Sequence, residues 1–257
     1  MSEAAPCWMR PAFASARVAA LMSTRDGGVS RGPYASLNLG DAVGDDPGAV
    51  RANRARFAAA LGGVPTFLRQ VHGRGVLRLP LAAGTTQPPE ADAAYTTAPG
   101  VACVVQVADC LPVLLAAPDG RGVAAAHAGW RGLAAGVLDA TVAALAAAAG
   151  CAPRDLEAWL GPCIGPRRFE VGADVLEGYG LDPGQPQPRF MAQPGGRWLA
   201  DLAGLARDRL EAIGLQRIDG GRWCTVEDES RFFSHRRDAR RLGASGRMAA
   251  AIWIDRA

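Results

Sequence analysis

Residues 101–127 read VACVVQVADCLPVLLAAPDGRGVAAAH, and this stretch decides how the chain folds. Residues 101–107 form one apolar run, 112–117 (PVLLAA) a second and 122–127 (GVAAAH) a third. Between the last two, Pro118-Asp119-Gly120-Arg121 is turn chemistry: proline presets one turn position, and Asp and Gly tolerate the left-handed region. Apolar runs on either side of such a turn predict a hairpin. If Ala117 faces Gly122, His127 lies opposite Pro112, and Cys110 stands two residues further along the same strand. Diagonal neighbours across an antiparallel pair are about 7–8 Å apart, so this thiol and imidazole can share one ion.

A third donor is available in His72, within RQVHG. The chain has three histidines, and two of them, His72 and His127, sit in glycine-punctuated segments. Two imidazoles and one thiolate form a zinc ligand set that leaves the fourth tetrahedral position open, the arrangement of a catalytic rather than a structural site. The three positions lie 38 and 17 residues apart, so no compact CxxC-type motif joins them. The alternative is a buried cysteine acting as a small hydrophobe beside ordinary hydrogen-bonded histidines. The sequence alone does not place His72 in the fold.

Beyond His127, Gly129-Trp130-Arg131-Gly132 leads into LAAGVLDATVAALAAAAG, read as an Ala-rich helix that closes at Gly150. A helix start beside the proposed metal offers free N–H groups to an anion; equally, the glycines can serve close strand–helix packing. Further helices are expected over 47–61, 174–179 and 199–213, and strands over 19–23, 67–71, 156–160 and 248–254. The Pro/Gly-rich segment 180–196 reads as an excursion loop. A βαβ alternation with a GxGxxG turn is missing, which disfavours a dinucleotide-binding sheet.

A chain of 257 residues can bury about three quarters of its unfolded surface in one large domain. A single catalytic domain over 1–257 is expected, with residues 1–15 loose. The net charge of +3 comes without a basic stripe interleaved with aromatics, which argues against nucleic acid. The Arg236-Arg237 to Arg240-Arg241 run reads as a solvated face, with one or two arginines serving a site. The chain shows neither a signal-peptide pattern nor a long uncharged apolar segment, so no membrane association is expected. Six cysteines without framework spacing suit reduced thiols in a cytoplasmic protein.

Taken together, HAGWRG, ADCLPVLL, RQVHG, the segment 23–54, LGPCIGPRRFEVG and the ending FFSHRRD…SGRMAAAIWI resemble the laccase-domain family. Its members are variously labelled multicopper polyphenol oxidase, purine nucleoside phosphorylase and peptidoglycan editing factor. The likeness runs from Thr24 to Ile254. It implies an α+β fold, a single layered domain of mixed β-sheets flanked by helices. It also implies a zinc site at His72, Cys110 and His127, with phosphorolysis of purine nucleosides (adenosine, inosine, guanosine, 5′-methylthioadenosine) and some adenosine deamination. One departure is His235, where the family usually carries tyrosine.

Each of these reactions asks for particular groups. Zinc lowers the pKa of water to about 7, and deamination at C6 of adenine then needs a proton shuttle. Asp109, beside the thiolate, is the nearest acid; its alternative task is to cap a turn or orient a ligand. Phosphorolysis needs a phosphate clamp, for which a guanidinium fork is suited. Arg54, Arg131 and Arg247 each fall inside a family motif. Ser36 and Asn38 are candidates for ribose or base, or for satisfying loop backbone. Cys163 in GPCIGP reads as pocket lining.

Two other classes stay open. A His₂Cys set is also the trigonal set of blue-copper sites, making copper the alternative metal. Three histidines cannot supply a trinuclear copper cluster as well, so polyphenol oxidation would be a minor activity. Alternatively, Cys110 as nucleophile and His127 as base would make a hydrolase or amidase acting on peptidoglycan precursors. The partners expected are a small purine nucleoside and phosphate, and the protein a monomer or weak homodimer.

Overall fold

The computed structural model describes residues 8–256 apart from 83, 84 and 86. Its centre is the stretch 101–127. Strand β5 (Val101–Val107) belongs to a four-stranded sheet with β1 (Val18–Met22), β13 (Met248–Ile254) and β2 (Val64–Thr66), in the order β1-β13-β5-β2. The chain then steps through residues 108–110 into a second, six-stranded sheet. That sheet has the order β12-β8-β6-β7-β4-β3. Its strands are β3 (Val76–Leu79), β4 (Ala93–Thr96), β6 (Leu111–Ala116), β7 (Val123–Ala128), β8 (Glu157–Leu160) and β12 (Arg217–Gly220). Both sheets are mixed: β2 runs parallel to β5, β3 to β4 and β12 to β8, and the other pairs are antiparallel.

Side chains alternate between the faces of a strand, and here both faces of both sheets are covered. Cys103, Val105, Val107, Ala250 and Ile252 point from the four-stranded sheet toward Leu114, Ala125 and Trp159 of the other. The outer face of the six-stranded sheet offers Val113, Leu115, Ala124 and Ala126 to α3 (Val137–Ala149), which contributes Leu138, Val142 and Leu145. The outer face of the four-stranded sheet offers Ala102, Val104, Ala251 and Trp253 to Leu37, Leu39 and to Phe57 of α1 (Pro47–Ala59). Burial on both faces explains why 112–117 and 248–254 are continuous apolar runs rather than alternating ones. The arrangement is the α+β layering of mixed sheets and helices that the sequence led us to expect. Among the described residues, no helix is long and apolar enough to cross a membrane.

The hairpin has the expected register: Pro112 pairs with His127, and the Ala117 N–H donates to the Gly122 carbonyl at 2.8 Å. Asp119 and Gly120 take φ of 57° and 65° in the turn. Elsewhere several expectations are corrected. Residues 67–71 are not a strand. The Gln70 side chain donates to the Gln106 carbonyl at 2.8 Å and accepts from its N–H at 2.7 Å, filling the edge of β5 that a strand would have occupied. The helix after His127 is broken at Gly136 (φ 89°) into α2 (Trp130–Ala134) and α3.

The segment 180–196 is not merely a loop. It contains β10 (Phe190–Gln193), which forms a hairpin with β11 (Arg197–Ala200); β11 also pairs with β9 (Glu170–Val171). Leu199 is therefore in a strand, and after the short helix α4 (Ala173–Gly178) the next helix, α5 (Leu202–Ile213), begins only after Asp201. The Asp201 side chain caps it by accepting from Gly204 N–H at 2.9 Å. Of the N-terminal stretch expected to be loose, residues 1–7 lie outside the described residues. Residues 8–15 are tied down: Met9 pairs with Met22, Trp8 meets Phe57 edge-on, and Ala14 N–H donates to Glu157 at 2.8 Å.

Candidate metal centre and its cavity

The three predicted donors converge. Cys110 ends the step between the sheets, His127 stands near the end of β7, and His72 lies in the irregular segment after β2. Their donor atoms all fall within 4.8 Å of one another, and Cys110 Sγ is 3.7 Å from His72 Nε2. Tetrahedral zinc bonded at 2.3 Å to sulfur and 2.0–2.1 Å to nitrogen sets such atoms about 3.6 Å apart, a separation that the Cys110–His72 pair already has. A Cβ added at Gly129 would stand 2.9 Å from His72 Cδ2 and 3.0 Å from Cys110 Sγ. Glycine there leaves the donors room.

What brings His72 into place is a residue the sequence reading missed. Asp92, fully buried just before β4, accepts from His127 Nδ1 at 2.8 Å. It also accepts from the backbone N–H groups of Val71 (3.2 Å), His72 (2.9 Å) and Gly73 (2.7 Å). One carboxylate thus folds the His72 segment, where His72 takes φ 60°, and turns Nε2 of His127 toward the thiol. Burial would raise the Asp92 carboxyl, but the bonds from His127 and the backbone hold it below the usual range. The only sequence signal was an acid before an apolar strand. Its partnership with His127 depends on β4 pairing with β7, a contact across 35 residues.

Cys110 and His127 favour each other's charged forms. Burial pushes the Cys110 thiol up, yet the His127 and His72 imidazoles bring it down to about 6. Burial works against the His127 cation, and the Cys110 thiolate with Asp92 raises its pKa to about 9. A thiolate is the form a metal binds.

The donors open onto a cavity of about 570 Å³, within the range of small-molecule sites. Arg247, Phe67, Gln106, Asp41 and His235 line it as well. Arg247 is the predicted clamp residue that reaches this space. Its Nη1 donates to the carbonyls of Ser245 (2.9 Å) and Gly246 (3.1 Å), leaving the rest of the fork without a partner among the described residues. Burial disfavours its cation, offset in part by Cys110 and Asp109, so an anion entering the cavity meets a charge short of partners.

The other candidates are placed differently. Arg54 donates to the Leu39 carbonyl at 2.9 Å, pairs with Asp41 at 3.1 Å and stacks on Phe67, with 4.1 Å from Cζ to the ring centroid. It supports the cavity wall from behind. Arg131 is exposed and stacked on Trp130, away from the cavity. Asn38 is buried with its amide spent on Gly40, Asp45 and the backbone N–H of Arg247, which it holds at 2.8 Å. Ser36 accepts from Gly28 N–H and donates to the Arg25 carbonyl. Both serve the loop rather than face a ligand. Cys163 is buried and lines a different cavity, beside Cys224.

Asp109 is also turned away from the cavity. With φ 83°, it accepts from Thr225 Oγ1 at 2.5 Å and from the Arg236 N–H at 2.6 Å, while its carbonyl accepts from Ile164 N–H at 2.9 Å. Both carboxylate oxygens are engaged as a strut beneath Cys110, and Asp109 does not line the cavity. Asp109→Ala is expected to destabilise the fold by about 2–4 kcal/mol, because a buried hydroxyl and a part-buried backbone N–H lose a charged acceptor. Urea unfolding followed by fluorescence measures this, and an unchanged midpoint would contradict the strut.

The model of the family described as multi-copper polyphenol oxidoreductase laccase matches residues 19–255. The chain belongs to this family. It is 46% identical over 250 residues to a purine nucleoside phosphorylase of Pseudomonas aeruginosa, covering 96% of this chain and 98% of that protein. It is 47% identical over 254 residues to purine nucleoside phosphorylase YfiH of Escherichia coli, covering 97% of each. A crystal structure of a Neisseria meningitidis protein superposes with a TM-score of 0.87 at 43% identity, covering 97% of this chain and 99% of that one.

Proposed function

We propose that this chain is a zinc-dependent purine nucleoside phosphorylase that also deaminates adenosine. The observation that carries the reading is one cavity holding both the His72–Cys110–His127 cluster and the underused guanidinium of Arg247. The names of the full-length relatives supply the substrate class.

The chain's own residues divide the task. His72, Cys110 and His127 would hold the ion, with Asp92 fixing the His127 tautomer. When bound, zinc supplies a Lewis acid and brings the pKa of water to about 7, the activation that deamination requires. Arg247 would bind phosphate and hold it against ribose C1′, stabilising charge as the glycosidic bond opens. Phe67, braced from behind by Arg54, offers an aromatic face for the base. Free thiols at Cys103, Cys110, Cys151, Cys163 and Cys224 support a cytoplasmic setting.

Wild-type protein is expected to consume inosine only when inorganic phosphate is present and to release ribose 1-phosphate. Free ribose formed independently of phosphate would make water the acceptor and remove the clamp role of Arg247.

A second reading has its own support. Cys110, His127 and Asp92 also form a thiol–imidazole–carboxylate series, the makings of a cysteine hydrolase. Chelation separates the two: a zinc enzyme loses activity and its thiol becomes open to alkylation, whereas a hydrolase keeps activity and alkylates without chelator.

A further inference from the structure

Breaking the bond between ribose and a purine needs a proton on the departing base; Asp109 does not line the cavity, and the metal ligands are not free to give one. Among the described residues, seven charged or titratable ones line the cavity: Asp41, Arg69, His72, Cys110, His127, His235 and Arg247. Three form the metal cluster, the two arginines keep their protons, and Asp41 is paired with Arg54 at 3.1 Å. His235 remains. It is exposed to the cavity and has no hydrogen-bond or ion-pair partner among the described residues.

Its backbone is nevertheless fixed. His235 opens a π-helical turn (His235–Ala239) capped by Ser234, whose Oγ accepts from Arg237 N–H at 3.1 Å. The buried Asp238 accepts from Ser234 N–H at 3.0 Å, and the Arg236 N–H is held by Asp109 at 2.6 Å. The residue that seats Cys110 therefore also seats His235. Turns of this kind often mark functional positions.

We propose that His235 is the general acid of nucleoside cleavage, donating its proton to N7 of the purine. The assignment rests on the phosphorylase reading. As the C1′–N9 bond breaks, its electron pair passes into the purine ring, which takes the imidazolium proton at N7. A phosphate oxygen bonds to C1′, and hydrogen phosphate yields its own proton to solvent. The products are ribose 1-phosphate and neutral purine, and the imidazole regains a proton from water.

The test compares two substrates with the zinc-loaded enzyme. Inosine needs N7 protonation, whereas 7-methylinosine already carries the positive charge there and leaves as a neutral base. His235→Gln should lower kcat for inosine about 100-fold or more while kcat for 7-methylinosine stays close to wild type. Unchanged zinc content and melting temperature in the variant exclude misfolding. Equal losses on both substrates, or no loss on either, overturn the assignment. Wild-type protein inert toward both nucleosides in phosphate would instead overturn the phosphorylase reading itself.

Discussion

Replacing His127 or Cys110 by alanine is expected to take bound zinc from about one ion per chain to none and to abolish phosphorolysis and deamination together. Two donors with one open side cannot grip the ion, and the remaining Asp92 carboxylate would lose its imidazole partner in the His127 variant. Asp92→Asn should weaken zinc binding about 10–100-fold, because the charge is gone and one of the two oxygens, each of which accepts from two N–H groups, becomes an amide nitrogen that cannot accept. Elemental analysis and competition with a chromophoric chelator measure both effects. Full activity in a metal-free Cys110→Ala protein would remove the metal centre from the mechanism, and full activity in metal-free wild type that is lost in Cys110→Ala would promote the hydrolase.

The second large effect is expected at Arg247. Arg247→Lys should lower phosphorolysis about 100-fold, because a point-charge ammonium cannot reproduce a bidentate fork. Deamination, which uses water rather than phosphate, should fall much less. Zinc content should hold, since Arg247 contributes no donor, and the backbone bond to Asn38 does not involve the replaced side chain. Parallel assays of ribose 1-phosphate and ammonia separate the activities. Equal losses in both, or a marked fall in melting temperature, would make Arg247 a structural residue of the carbonyl-rich turn at Ser245 and Gly246.

The sequence was most informative where structure is local. The turn at 118–121 sets the register of the strands around it, so the Pro112–His127 pairing followed from a few residues. The buried strands of 101–107 and 248–254 were equally plain, because only Gln106 breaks the first and nothing polar breaks the second. What was hidden depends on side chains that replace backbone or join distant segments. Gln70 occupies a strand's place on β5, and no apolar pattern distinguishes this from a strand. Asp92 and Asp109 look alike as acids beside apolar runs, yet one orients a candidate ligand and the other ties the step between sheets to Thr225 and Arg236. Arg131 and Arg247 sit in equally suggestive motifs, but only the latter faces the cavity. Motif membership did not reveal which way a side chain points.

That step between sheets has a bearing on how the protein tolerates change. Cys110 is reached from β5 and departs into β6, so its position is the joint result of how two separate sheets rest on one another. Val105 and Leu114, which do not line the cavity, lie in the layer that sets this spacing. Misplacing a reacting group by 1 Å can cost about 100-fold in rate, so volume changes in that layer reach the thiol as well as the packing. Drift within the interior of this enzyme is therefore policed by its chemistry, and sequence variation should be freer on the outer faces of the sheets than between them.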